Sequence, residues 1–81
     1  MKEYTGFRAD RLKKAMKENG ATIEDILKEL EKIYGALWQE NYHIRNVIAG
    51  KDVPLNVDVF AICKAVNVSA DYLLGLSDEM Y

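Results

Sequence analysis

Gly50-Lys-Asp-Val-Pro-Leu-Asn-Val-Asp-Val-Phe-Ala-Ile-Cys-Lys-Ala-Val-Asn-Val-Ser-Ala-Asp-Tyr-Leu-Leu-Gly-Leu-Ser-Asp78 reads as two short helices joined by a tight corner. Asn56 is placed to cap the first, because its side chain can accept from the amides of a first helical turn. Val59, Ile62, Cys63 and Val66 then recur at helical spacing. Asn67 suits the left-handed residue that ends a helix, and Ser69 suits the cap of the next. Asp71 falls in that helix's first turn, where a carboxylate complements the macrodipole. Gly75 ends the segment, and Pro54 keeps the residues just before it out of a helix.

Upstream, the same periodicity gives three more helices. The first runs from near Phe7 to Glu18, with Ala9, Leu12, Ala15 and Met16 as its apolar stripe and Asn19-Gly20 as its stop. The second opens at Thr22, where Thr22-Ile-Glu-Asp25 resembles a capping box with Asp in place of Glu or Gln. Ile23, Ile26, Leu27, Leu30, Ile33, Tyr34, Leu37 and Trp38 keep one helical phase, which Gly35 interrupts. Glu24 and Lys28 have the spacing of a favourable surface pair. The third helix includes Ile44, Val47 and Ile48 and stops at Gly50. Its start is either an Asn41 cap or a point near Ala36. The tail after Ser77 is too short for a further element. Leu12, Met16, Ile26, Leu30, Ile44, Val47, Ile62, Val66, Leu73 and Leu74 are expected to share one core.

The 81 residues suffice for one domain, 1–81, and no more. With 49% hydrophobic and 30% charged residues, the chain suits a folded domain rather than a disordered one. No apolar run is long enough to span a membrane, and the first residues lack the apolar core of a signal peptide. The single cysteine has no intrachain partner, so the cytoplasm is the expected compartment. The net charge of −2 is unevenly spread. Lys2, Arg8, Arg11, Lys13, Lys14 and Lys17 crowd the first residues, whereas the remainder is acidic. One basic face on an acidic protein can still meet phosphates, because the local field decides.

The run Val68-Ser-Ala-Asp-Tyr-Leu-Leu-Gly-Leu-Ser-Asp78 closely resembles the end of the Cro and phage-repressor superfamily of helix-turn-helix DNA-binding domains. Including Asp25-Ile-Leu27, the resemblance covers roughly residues 7–78. It implies a compact, all-α, five-helix phage-repressor-like domain with its motif at about 22–49. Two features depart from the family. Ile23 stands where members usually carry Gln. Glu31-Lys-Ile-Tyr-Gly-Ala-Leu-Trp-Gln-Glu40 replaces a tight turn and is about two helical turns longer.

Such a motif lays its second helix in the major groove. Matching His43-Ile-Arg-Asn-Val-Ile-Ala-Gly50 to the family's recognition helix makes Asn41, Tyr42, Arg45 and Asn46 the base-contacting candidates. Arg can grip guanine and Asn adenine, each worth roughly 1–3 kcal/mol of discrimination. By resemblance, Thr22 and Asn56 at helix starts and Lys51 in the loop are phosphate sites, with Arg11, Lys13 and Lys14 extending the positive surface. The resemblance thus implies a sequence-specific regulator, a repressor of phage or mobile-element type, that occupies a double-stranded operator as a dimer and needs no cofactor.

Other residues read blandly. His43 is without a metal-ligand partner at useful spacing. Cys63 reads as a small buried hydrophobe rather than a nucleophile. Asp10, Glu18, Glu24 and Asp25 read as surface carboxylates. No phosphate loop or Ser-His-Asp set is present, so neither an enzyme nor a small-molecule substrate is expected. Ile33, Tyr34, Leu37 and Trp38 are expected to pack against the domain or a second copy of it. The competing reading is a repurposed helix-turn-helix fold acting as a protein-interaction or antitoxin-like module. The acidic balance, Ile23 and the apolar insert favour it.

Overall fold

A computed structural model describes residues 6–35 and 40–81, with backbone only at residues 40 and 41. Among these residues there are five helices and no strand: α1 (Ala9–Asn19), α2 (Ile23–Tyr34), α3 (Glu40–Ile48), α4 (Asn56–Val66) and α5 (Ala70–Leu73). The all-helical expectation holds.

Local chemistry explains most boundaries. At α2 the capping box forms as expected: the Asp25 amide donates to Thr22 Oγ1, and the Thr22 amide donates to Asp25 Oδ2 at 2.8 Å. Gly35 closes α2 in the left-handed conformation, φ +83°, and its amide returns to the Glu31 carbonyl. Asn67 takes the same role after α4, the one non-glycine described residue at positive φ. Ser69 caps α5 by accepting from the Tyr72 amide at 3.1 Å.

Three boundaries differ from expectation. α1 begins two residues later than the sequence implied, at Ala9. α3 already includes Asn41 and so is not capped by it, while the alternative start near Ala36 falls outside the described residues. Asn56 is the first residue of α4 rather than its cap. The cap position belongs to Leu55, which has no acceptor on its side chain, and its amide is satisfied instead by Asp58 Oδ2 at 2.9 Å. Elsewhere on the surface, Lys32 pairs with Glu29 at 3.1 Å, and the Glu24–Lys28 pair is not formed.

α4 is the central helix. Asp58, Val59, Ala61, Ile62 and Val66 are all buried, and α2 packs along it more extensively than any other helix. Leu12 and Ala15 come in from α1, Ile26 and Leu30 from α2, Ile44 and Val47 from α3, and Tyr72 and Leu73 from α5. Each large apolar side chain fully buried here contributes about 1.5–3 kcal/mol. Eight of the ten predicted core residues are fully buried. Met16 lies half-buried at the core's margin, and Leu74 is half-buried because it follows the end of α5.

The C-terminal residues form no element, yet they are bound in. The Arg11 guanidinium donates to the carbonyls of Tyr72 at 2.8 Å and Ser77 at 2.7 Å, and meets Asp78 at 2.8 Å. It also lies 4.5 Å from the centre of the Tyr72 ring. Asn19 donates to the Val66 carbonyl at the end of α4 and accepts from the Tyr81 hydroxyl. The Ser69 amide donates to the Met80 carbonyl at 2.8 Å, and Met80 packs against the core.

Candidate nucleic-acid interface

The face that matters is built on α3. Ile44 and Val47 are completely buried against α1 and α2, which fixes the rotation of the helix about its own axis. That rotation leaves Tyr42 75% exposed, Arg45 exposed and Asn46 half-buried. The Asn46 carbonyl accepts from the Lys51 amide at 2.9 Å, which closes the turn after the helix. Gly50 makes that turn at φ +79°, with room for a Cβ only 3.6 Å from Ala9 Cβ. The Asn41 side chain lies outside the described residues.

Arg45 does not stand alone. Lys13 and Met16 of α1, Ile23 at the start of α2, and Arg45, Ile48 and Ala49 line one cleft of about 440 Å³. Two cations thus border an apolar floor beside the first turn of α2. Ile23 forms part of that floor and packs on the core margin. Lys14 and Lys51 are also exposed, and Lys14 stands 4.0 Å from Glu18.

The remaining candidates are differently placed. The Arg11 guanidinium, taken from sequence as part of the positive surface, is occupied by the carbonyls of Tyr72 and Ser77 and by Asp78. Thr22 is exposed, but its amide and hydroxyl are both engaged by Asp25. Asn56 is exposed at the first position of α4, whose start is occupied by Asp58. A carboxylate already lodged at a helix N-terminus offsets the dipole that would attract a phosphate. The starts of α2 and α4 are each engaged in this way, by Asp25 and Asp58.

His43 is the residue whose importance the sequence reading missed. Its Nε2 lies 2.8 Å from Asp58 Oδ2 and its Nδ1 3.1 Å from Asp52 Oδ2. Burial pushes its pKa down, but hydrogen bonding and charge from Asp58 and then Asp52 outweigh that, and the net shift is upward. Asp58 is buried, and its Oδ1 has no hydrogen-bond partner. A signal was present in the sequence. Asp58 shares the phase of Ile62 and Val66, and a carboxylate on the core-facing side of a helix requires a donor.

Of the four apolar insert residues, expected to pack against the domain or a second copy of it, Ile33 is 44% and Tyr34 47% exposed on the single chain. The helix outruns its core: Ile26 and Leu30 are buried, and the following turn is not. Leu37 and Trp38 lie outside the described residues. Cys63 is half-buried, and burial raises its thiol pKa, which disfavours the thiolate. No cluster of three potential metal ligands occurs among the described residues, and no described helix is long and apolar enough to cross a membrane.

Neither a protein-family model, nor a curated protein, nor a solved structure matches this chain.

Proposed function

We propose that this protein is a sequence-specific double-stranded DNA-binding regulator with a phage-repressor-like fold, in which α2 and α3 are the two helices of a helix-turn-helix motif. One observation carries the reading. α3 buries Ile44 and Val47 and turns Tyr42 and Arg45 outward, beside a cleft that Lys13 also borders. An anchored helix with a guanidinium on its outer face is what major-groove readout requires. Lys13, Lys14 and Lys51 supply phosphate contacts, and Tyr42 meets a phosphate or a thymine methyl. Action is by occupancy of an operator, which excludes polymerase and needs no cofactor.

The decisive experiment is titration with random and genomic duplex pools at two salt concentrations. A selected duplex should bind more tightly than random DNA, with affinity falling as salt rises. Absence of binding to either pool at low salt would reject the reading. Arg45→Ala should weaken the selected duplex by about 1–3 kcal/mol. Lys51→Ala should weaken selected and random duplexes alike and make the salt slope shallower by about one unit.

A second reading, a protein-binding module that self-associates or holds an antitoxin-like partner, is favoured by the exposed Ile33 and Tyr34 at the end of α2. The two are compatible if a second copy covers those side chains and sets the spacing of two recognition helices.

A further inference from the structure

The His43 ring stands between two carboxylates, each able only to accept when ionised. A neutral imidazole has one N–H, so it can satisfy one of them and must turn a lone pair toward the other. The imidazolium satisfies both. The three residues belong to separate pieces of the fold: His43 to α3, Asp52 to the loop after it, and Asp58 to the start of α4. α3 itself rests on α1 and α2, and His43 reaches from it to the loop and to α4.

The two contacts differ in how easily they are given up. Asp58 is buried, and among the described residues His43 and the Leu55 amide are its only hydrogen-bond donors. The Asp52 side chain is 46% exposed and can turn to water. When the ring loses a proton, the remaining one stays on Nε2 facing Asp58, and the contact to Asp52 is released. Asp52 also holds its own loop, since Oδ1 accepts from the Val53 amide at 2.9 Å, and exposed Lys51 precedes it.

We propose that His43 is a positioning residue: its imidazolium fastens the loop carrying Lys51 to α3, so that Lys51 and Arg45 meet DNA together, and duplex affinity falls when the ring is deprotonated. This rests on the DNA-binding reading given above. The charges that act on the ring are Asp58 on α4 and Asp52 in the loop; no described charged group on α1 or α2 acts on it. Arg45 on its own helix and Lys51 beside Asp52 are exposed to solvent.

His43 is the only histidine, so its ring protons report one titration. The test follows those protons and the backbone amides by NMR on the full chain, alongside affinity for a selected duplex across the same pH range. The wild type, Asp52→Asn and His43→Gln are compared. In the wild type the midpoint should lie above about 6.5, the ordinary histidine value. The amides of Lys51 and Asp52 should titrate with the ring. Duplex affinity should be about tenfold weaker one pH unit above the midpoint than one unit below, as for loss of one charge-assisted hydrogen bond. Asp52→Asn should lower the midpoint and reduce the pH effect on affinity to less than about twofold, because the ring then titrates without moving the loop. His43→Gln should bind with no pH dependence in this range. A midpoint at or below the ordinary value, loop amides that ignore the ring, or Asp52→Asn with the wild-type pH dependence would each overturn the proposal. Duplex binding absent at every pH would overturn the DNA reading and the proposal's DNA step. A ring and loop that still titrate together would place that failure in the DNA reading rather than in the clasp.

Discussion

Replacing Arg11 by alanine removes a brace between α1 and the residues after α5. Its guanidinium makes two charge-assisted bonds to main-chain carbonyls, Tyr72 at 2.8 Å and Ser77 at 2.7 Å. Hydrogen bonds to charged groups contribute about 1.5–3 kcal/mol each, and the partial exposure of this site argues for the lower end. Cation–π contact with Tyr72 adds about 0.5–1 kcal/mol. The ion pair adds little, because Asp78 is 97% exposed and surface pairs are worth about 0–1 kcal/mol. Arg11→Ala should therefore cost about 3 kcal/mol, a fall of more than about 12 °C in Tm for a domain of this size. Asp78→Ala should cost no more than about 0.5 kcal/mol, which assigns the loss to the carbonyl bonds. Thermal and urea unfolding by circular dichroism measure both. The reasoning fails if Arg11→Ala unfolds within about 1 kcal/mol of the wild type. A second readout separates brace from phosphate contact. At temperatures where the variant is folded, its duplex affinity should keep the wild-type salt slope, whereas a slope shallower by about one unit would return Arg11 to the phosphate set.

Leu30→Ala should cost about 2–5 kcal/mol in urea unfolding, since the side chain is fully buried between α2 and α4. Ile33→Ser should reduce self-association in a light-scattering concentration series, and a wild type that is monomeric throughout would show that no second copy covers this turn. The raised pKa of His43 means that its stabilising contribution is complete below the unfolded value of about 6.5 and is lost as pH rises through the folded one. The urea midpoint should accordingly fall over that interval in the wild type and change less in His43→Gln. Cys63 should react with a thiol reagent at pH 8 far more slowly in the folded protein than in urea, because its burial disfavours the thiolate.

Helix ends were legible wherever the terminating chemistry is local. Thr22 with Asp25, Asn67, Ser69 and the glycines at 20, 35 and 50 each act within a few residues of themselves, so spacing alone reveals them. Asn56 misled because an amide side chain near a helix start suggests a cap, whereas the cap position falls one residue earlier, at Leu55, whose amide donates to Asp58 Oδ2. The candidate site was legible in part. The inward phase of Ile44 and Val47 forces Tyr42 and Arg45 outward, and that follows from helical geometry. The links between Arg11 and Ser77 and between His43 and Asp58 join residues far apart in sequence: the phase of Asp58 announces that it requires a donor, but no local pattern names His43 as that donor or Ser77 as a partner of Arg11. Periodicity left the partner of Ile33 and Tyr34 open: both keep the phase of α2 and are exposed on the single chain, and phase gives direction along a helix rather than what lies opposite.

The residues that hold Arg11 and Asn19 are among the last of the described chain to be synthesised. Arg11 needs Tyr72 and Ser77, Asn19 needs Val66 and Tyr81, and the Arg8 amide needs the Leu73 carbonyl. During translation, the bonds that fasten α1 to the far end of the described chain therefore cannot form until α5 and the segment beyond it have left the ribosome. At roughly 5–20 residues per second, α1 waits seconds for these bonds. Over that interval α1 is held by its packing on α3 and α4 alone. Folding of this domain ends in a closing event that joins the beginning of the described chain to its end, and a ribosome stalled before residue 72 would carry an α1 that rests on α3 and α4 without its Arg11 brace.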